Sequence, residues 1–311
     1  MDIPAVQPQR LKKGDVISII APSSPIDSRD GLERGIAALE RMGFQVQFDN
    51  RIFQSSRYLA GKDPERAEEL MQAFEDPSVK AIIGLRGGYG CARLIPLLTA
   101  RRLRPHLKIF IGFSDLTTLH LYFHQKFGWT TIHGPMVASP TLGNITSPEE
   151  HNLLSLLTDP EYRPTLSFPQ LETWFPGVAE GTLTGGCLSL ITASIGTAYE
   201  INTEGKILFL EDLGEAPYRL DRMLTHLRLA GKLQSLAGII LGDFPDCEPT
   251  QGNYTSGEIL REILSDLKIP TIANFPAGHG RENWAFPIGA KVHIDADHKS
   301  IRYLDSAVCY A

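Results

Sequence analysis

What is scarce in this 311-residue sequence narrows what it can be. There are four cysteines, Cys91, Cys187, Cys247 and Cys309, widely spaced and with no C-x-x-C pair. That spacing excludes the usual zinc-ribbon site and gives no disulfide framework of the small secreted kind. No apolar stretch reaches the roughly 18 residues that span a bilayer. The N-terminal "MDIPAVQPQRLKKGD" lacks the apolar core of a signal peptide. The expectation is a soluble, cytoplasmic protein with no membrane partner. Positive charge is also in deficit: 30 Lys and Arg against 36 Asp and Glu leave a formal net charge of −6. Nucleic acid is therefore not an expected partner. The one basic cluster, "RRLRPHLK" from Arg101 to Lys108, contains a proline, precedes a strand and reads as a solvated loop.

What is present is the pattern of a globular α/β protein. The hydrophobic fraction is 42% and the charged fraction 21%, which leaves no sign of extended disorder. The length exceeds what a single core usually organises, so two domains are expected. Over 1–158, strand-like and helix-like segments alternate. "VISIIAP", "QVQF", "AIIGL", "IFIGF" and "TTIHGP" read as strands, and "GLERGIAALERMG", "PERAEELMQAFEDP" and "ARLIPLLTA" as helices. Such alternation implies a mainly parallel sheet with helices on both faces and ligands bound beyond the carboxyl ends of the strands. Residues 159–180, with four prolines and no clear period, read as a linker. Residues 181–311 form a second α/β or α+β domain, richer in strand toward the end.

Four segments carry chemistry. In "IFIGFSDLTTLHLYF", 109–123, a buried strand gives way at Gly112 to a helical period, which puts Ser114 on a strand-to-helix turn. Asp115 stands where a helix wants an acceptor for its first N–H groups. In "LFLEDLGEAPYRLDRML", Glu211 and Asp212 lie just past an apolar run; in "NFPAGHGRENWAFPIGA", His279 lies in a glycine loop. A serine hydroxyl needs a base, an imidazole supplies it, and a carboxylate fixes the imidazole's tautomer. The order Ser…Glu…His occurs in α/β-hydrolases, but their G-x-S-x-G elbow fails here at Leu116. Fourth, "GLRGGYGCARL", 84–94, reads G-x-G-x-x-R and misses the dinucleotide fingerprint. Gly87 and Gly88 instead free backbone N–H groups to face a cleft, as an oxyanion requires. The N–H of Asp115 is a candidate second donor. His120 and His124, one helical turn apart, lack the zincin glutamate and are expected to pack or face solvent. His133 either stabilises a turn or lines the cleft.

Together these segments resemble the LD-carboxypeptidase family of serine peptidases, which contains murein tetrapeptide carboxypeptidases and microcin C immunity peptidases. "GLRGGYGCARLIPLL", "IGFSDLTTLH", "GTLTGGCLSLI", "LEDLGEAPYRLDRMLTHL" and "GHGRENWAFPIG" match its blocks in its order. The resemblance implies a Rossmann-like N-terminal domain and a smaller C-terminal domain of mixed sheet, with the site between them. It implies Ser114 as nucleophile, His279 as base and Glu211 as the histidine's partner. Oxyanion donors map to Gly88 and Asp115, and no metal or cofactor is implied. Arg86, beside Gly87, is the candidate grip for a substrate carboxylate, because a guanidinium holds a carboxylate at two points. Arg219 and Arg222 are its alternatives. The loop after His279 reads Gly-Arg-Glu-Asn, where some members place a proline. The chain is also compact beside the immunity-type members, which favours the peptidoglycan branch. The expected reaction is release of terminal D-alanine from a small muropeptide, with a homodimer left open. A peptidyl-nucleotide antibiotic as substrate, or a two-domain small-molecule binding protein, are the rival readings.

Overall fold

The computed structural model describes residues 4–310. The chain divides into two compact units. The first runs to Tyr162 and takes back Trp284–Pro287 and the segment from Ser306 onward; the second comprises Arg163–Asn283 and Ile288–Asp305. The two returning segments lie within the stretch that the sequence pattern assigns to the second domain.

The first unit alternates strand and helix. Its elements are β1 (Val16–Ile20), α1 (Arg29–Arg41), β2 (Gln45–Gln47), α2 (Asp63–Glu75), β3 (Val79–Gly84), α3 (Cys91–Leu94) and α4 (Ala100–Leu103). They continue with β4 (Ile109–Gly112), α5 (Thr117–Phe127), β5 (Thr131–His133), α6 (Pro140–Gly143) and α7 (Ser147–Thr158). Strands β2, β1, β3, β4 and β5 lie side by side in that order, each pair parallel. The segment around Phe286 adds a sixth strand beyond β5. The central strands are buried on both faces, which is why they read as unbroken apolar runs. Phe110 of β4 packs against Phe74 of α2 and Phe123 of α5, at 6.4 and 5.1 Å between ring centroids. Removing an aromatic anchor of this kind costs about 3–5 kcal/mol, so the strand carrying Ser114 at its end is firmly seated.

Two local readings change. "ARLIPLLTA" does not form one helix: α3 ends at Leu94, because Pro96 cannot donate to a continuing ladder, and a single 3-10 turn follows. "RRLRPHLK" is not a solvated loop. Its first half is α4, Arg102 is clamped between Glu68 and Glu75, and the half-buried Lys108 donates to the carbonyls of Ala73 and Asp76.

The second unit holds β6 (Thr165–Leu166), β7 (Glu172–Phe175), β8 (Val178–Cys187), α8 (Leu188–Ser194), β9 (Ile207–Glu211), α9 (Pro217–Leu229), β10 (Gly238–Leu241) and α10 (Ser256–Ser265). After β11 (Thr271–Ala273) and β12 (Phe286–Ile288), which joins the first sheet, come β13 (Lys291–Asp295) and β14 (Ser300–Tyr303). Its sheet is mixed: β8, β9, β10 and β11 are parallel, while β7, β13, β14 and β6 pair antiparallel. Residues 159–180 are therefore not a plain connector, since they hold β6, β7 and the start of β8. Among the described residues no helix is long and apolar enough to cross a membrane.

Candidate active site

Within the first unit, β4 delivers Ser114 and the loop after β3 delivers the glycines. Ser114 has φ 59°, the left-handed region. A non-glycine residue held there costs on the order of 1–3 kcal/mol, and such residues concentrate at functional turns. The turn is nucleophile-elbow-like without the usual second glycine. Leu116, which breaks the G-x-S-x-G pattern, packs directly over Gly84 and Gly112, and a side chain at either glycine would collide with its Cδ2. Leucine at that position thus fills the space that its two small neighbours leave.

The glycine loop meets this turn at Gly87. A Cβ added there would stand 2.9 Å from both Cβ and Oγ of Ser114. Gly88, at φ 111°, lies against Ser24 instead, and the Ser24 Oγ accepts the N–H of Tyr89 at 3.2 Å. Asp115 does not cap its own helix. Its fully buried carboxylate accepts from Ser23 Oγ at 2.6 Å and from the N–H of Cys91 at 2.8 Å, so it ties the Ser114 turn to the end of the glycine loop. Burial raises its pKa while those two bonds pull it back. The Arg86 guanidinium reaches the carbonyl of Pro25 at 3.0 Å and Asp27 at 2.7 Å. The Arg86 side chain is about a third exposed, and Asp27 is almost entirely in solvent. Such a pair is weak and exchangeable.

Three histidines of this unit, His120, His124 and His133, are buried. His120 is buried, with Nδ1 on Thr131 Oγ1 and Nε2 on the carbonyl of Gly112, both at 2.8 Å. Burial holds its pKa near 4, hence neutral. His124 is also buried on α5. His133 stacks on Phe286, 4.6 Å between centroids and 12° between planes.

Within the second unit, β9 ends at Glu211, and the alternation of the strand separates the two adjacent carboxylates. Asp212 is spent on the backbone, accepting the N–H groups of Ser189 at 2.8 Å and Leu213 at 2.9 Å. Glu211, completely buried, meets His279 Nδ1 through Oε2 at 2.6 Å. Gly278 makes this approach feasible. It sits at φ 113°, where a Cβ would be 2.6 Å from Glu211 Oε2, and its N–H is anchored on Asn283 Oδ1 at 3.0 Å. Burial lowers the His279 pKa, but the Glu211 bond and charge, with Asp212 and Asp243 behind them, outweigh it and the net shift is upward. Glu211 is itself raised by burial, with His279 pulling it back. An imidazole that donates Nδ1–H to a carboxylate carries its lone pair on Nε2, the arrangement of a general base. Asp243, which sequence reasoning did not single out, stands beside this loop; nothing in its "GDF" context marks it. Arg219 and Arg222 lie on α9, each about 5.8 Å from the ring centre of the exposed Tyr218. Among the described residues no group of three or more His, Cys, Asp or Glu is placed to hold a metal ion.

A carboxylate–imidazole pair and a serine on a left-handed turn, on two α/β units, are the parts of a serine hydrolase. Comparison with known proteins gives the family. Residues 17–134 match the LD-carboxypeptidase N-terminal domain and residues 180–294 the LD-carboxypeptidase C-terminal domain. The chain belongs to the LD-carboxypeptidase family. It is a serine-type carboxypeptidase. A probable murein peptide carboxypeptidase of Bacillus subtilis is 37% identical over 297 residues, covering 94% of this chain and 93% of the relative. A murein tetrapeptide carboxypeptidase of Pseudomonas aeruginosa is 34% identical, covering 90% of this chain and 93% of its own. Among solved structures, the microcin C7 self immunity protein MccF in its apo state superposes with a TM-score of 0.91 at 24% identity, covering 98% of this chain and 100% of that one. At that identity the likeness speaks for the fold.

Proposed function

We propose that this carboxypeptidase releases the terminal D-alanine from peptidoglycan tetrapeptides by cleaving the bond that follows the L-centre of the diamino acid. The observation that carries the mechanism is the 2.6 Å pair between the buried Glu211 and His279 Nδ1, which has a base's tautomer built in. Ser114 Oγ attacks the scissile carbonyl as His279 Nε2 takes its proton. The N–H groups of Asp115 and Gly88 receive the developing oxyanion. Collapse of the tetrahedral intermediate expels D-alanine, whose amine takes the proton back from the imidazolium, and leaves an ester on Ser114. Water, activated by the same imidazole, then hydrolyses that ester. Arg86 exchanges Asp27 for the substrate's terminal carboxylate and thereby sets which carbonyl meets the serine. The substrate assignment is supported by the names of the murein peptide relatives. The shared fold with MccF is compatible with a peptidyl-nucleotide substrate but does not favour it.

The test is competition among defined substrates: a tetrapeptide ending in D-alanine, its L-alanine and amidated analogues, and an aminoacyl sulfamoyl nucleoside. Preferential loss of D-alanine from the free acid is expected. A higher kcat/KM on the nucleoside would transfer the chain to the immunity-type reading.

A further inference from the structure

Three carboxyl groups raise the charge preference of His279: Glu211, Asp212 and Asp243. Glu211 is bonded to the ring and Asp212 to backbone N–H groups. Asp243, just after β10, is half-buried and threaded between the two catalytic segments. Its N–H donates to the carbonyl of Ala277 at 3.1 Å, and its carbonyl accepts the N–H of Asp212 at 3.3 Å. Its carboxylate lies against Gly280, where any side chain would collide with Oδ2. Gly278, on the other side of His279, lies in the same way against Glu211. The histidine is therefore carried on a loop with a glycine at each shoulder and a carboxylate packed on each glycine.

We propose that Asp243 is a positioning residue for His279: its carboxylate braces the Gly278–Gly280 loop and supplies a second negative charge that favours the imidazolium formed in the acylation step. The role rests on His279 being the base. The charged groups facing Asp243 are Glu211, Glu282 and His279. Burial first, then repulsion from Glu211 and Glu282, push its carboxyl up to about 6, while His279 pulls the other way. At neutral pH Asp243 is therefore mostly ionised, and proton arrival on His279 ionises it further. The two groups stabilise each other's charged forms when the proton moves from serine to histidine.

The experiment compares Asp243→Asn with Asp243→Glu. The titration of His279 is followed by NMR in a Ser114→Ala background, and the pH profile of kcat/KM in the otherwise unchanged enzyme. Removing the negative charge lowers the His279 midpoint, so the neutral base persists to lower pH and the acid limb of kcat/KM moves down with it. Asp243→Glu, which keeps the charge, restores the midpoint toward its original value. A residue that only supported the loop would lower kcat at every pH and leave the midpoint in place. An unchanged His279 midpoint in folded Asp243→Asn overturns the proposal. Should that variant not fold, Gly280→Ala reads the same contact: displacing the carboxylate is expected to lower the midpoint, and no change refutes it. The NMR midpoint needs no turnover, so a wrong substrate assignment and a wrong role for Asp243 give different results.

Discussion

Gly87→Ala isolates the contact between the glycine loop and Ser114, the proposed nucleophile. Gly87 is buried, and the new methyl would stand 2.9 Å from Ser114 Cβ, 2.9 Å from Ser114 Oγ and 3.3 Å from Met136 Cε. Carbon–carbon contacts settle near about 3.5–4.0 Å, so loop and serine must separate by roughly 0.6–1.1 Å. A displacement of about 1 Å at a reacting atom costs on the order of 10²-fold in rate. The stability cost is smaller: overpacking of about 1–3 kcal/mol, partly offset by about 0.4–1 kcal/mol from the stiffer unfolded chain. The net loss is a few degrees in Tm for a protein of this size. The signature is a large fall in kcat with a modest fall in Tm, measured by steady-state D-alanine release and thermal unfolding. Gly257→Ala on α10, where the methyl meets nothing nearer than 3.8 Å, serves as the neutral control. Wild-type kcat and Tm in Gly87→Ala would refute the placement of the glycine loop against Ser114.

Other outcomes follow from the same geometry. The upward shift of His279 places the acid limb of kcat/KM above the ordinary histidine value of 6.5, because the base is lost as pH falls through its raised pKa. Glu211→Gln should move that limb to lower pH and reduce kcat on the order of 10²–10⁴-fold, read from a pH series of initial rates. Glu69, buried on α2, is raised to about 7 from 4.5, so between those values the folded state binds a proton that the unfolded chain lacks. Stability therefore declines as pH climbs through that window, and Glu69→Gln should remove about 2–3 kcal/mol of the difference between pH 5 and pH 8 in denaturant titrations. An equal pH slope in both proteins would contradict it. Arg86→Ala should narrow the ratio of kcat/KM on free-acid and amidated tetrapeptides, and an unchanged ratio clears Arg86 of carboxylate recognition.

The elements that carry the site were legible because their apolar patterns are strong: β3 and β4 are continuous buried runs, and α5 begins where the period changes after Gly112. The conformation of Ser114 was not. A left-handed serine is usually announced by a glycine two residues on, and here Leu116 takes that place by packing over Gly84 and Gly112. Asp115 looked like a helix cap because local spacing cannot show that Cys91, 24 residues away, would claim its carboxylate. Adjacent Glu211 and Asp212 are equivalent in sequence, and only the direction of β9 at its end gives them different partners. Asp243 is brought to His279 by the parallel pairing of β10 with β11, a long-range event with no local signal. The strands within 159–180 escaped for the same reason, since β7 is specified by its antiparallel partner β11 more than by its own Pro-flanked sequence.

The most direct measurement is mass analysis of a D-alanine-terminated tetrapeptide after incubation with the wild-type enzyme and with folded, carefully purified Ser114→Ala. The account predicts release of a single D-alanine by the wild type and almost none by the variant. Near-wild-type release by Ser114→Ala, or an intact tetrapeptide after prolonged incubation with the wild type, would contradict it.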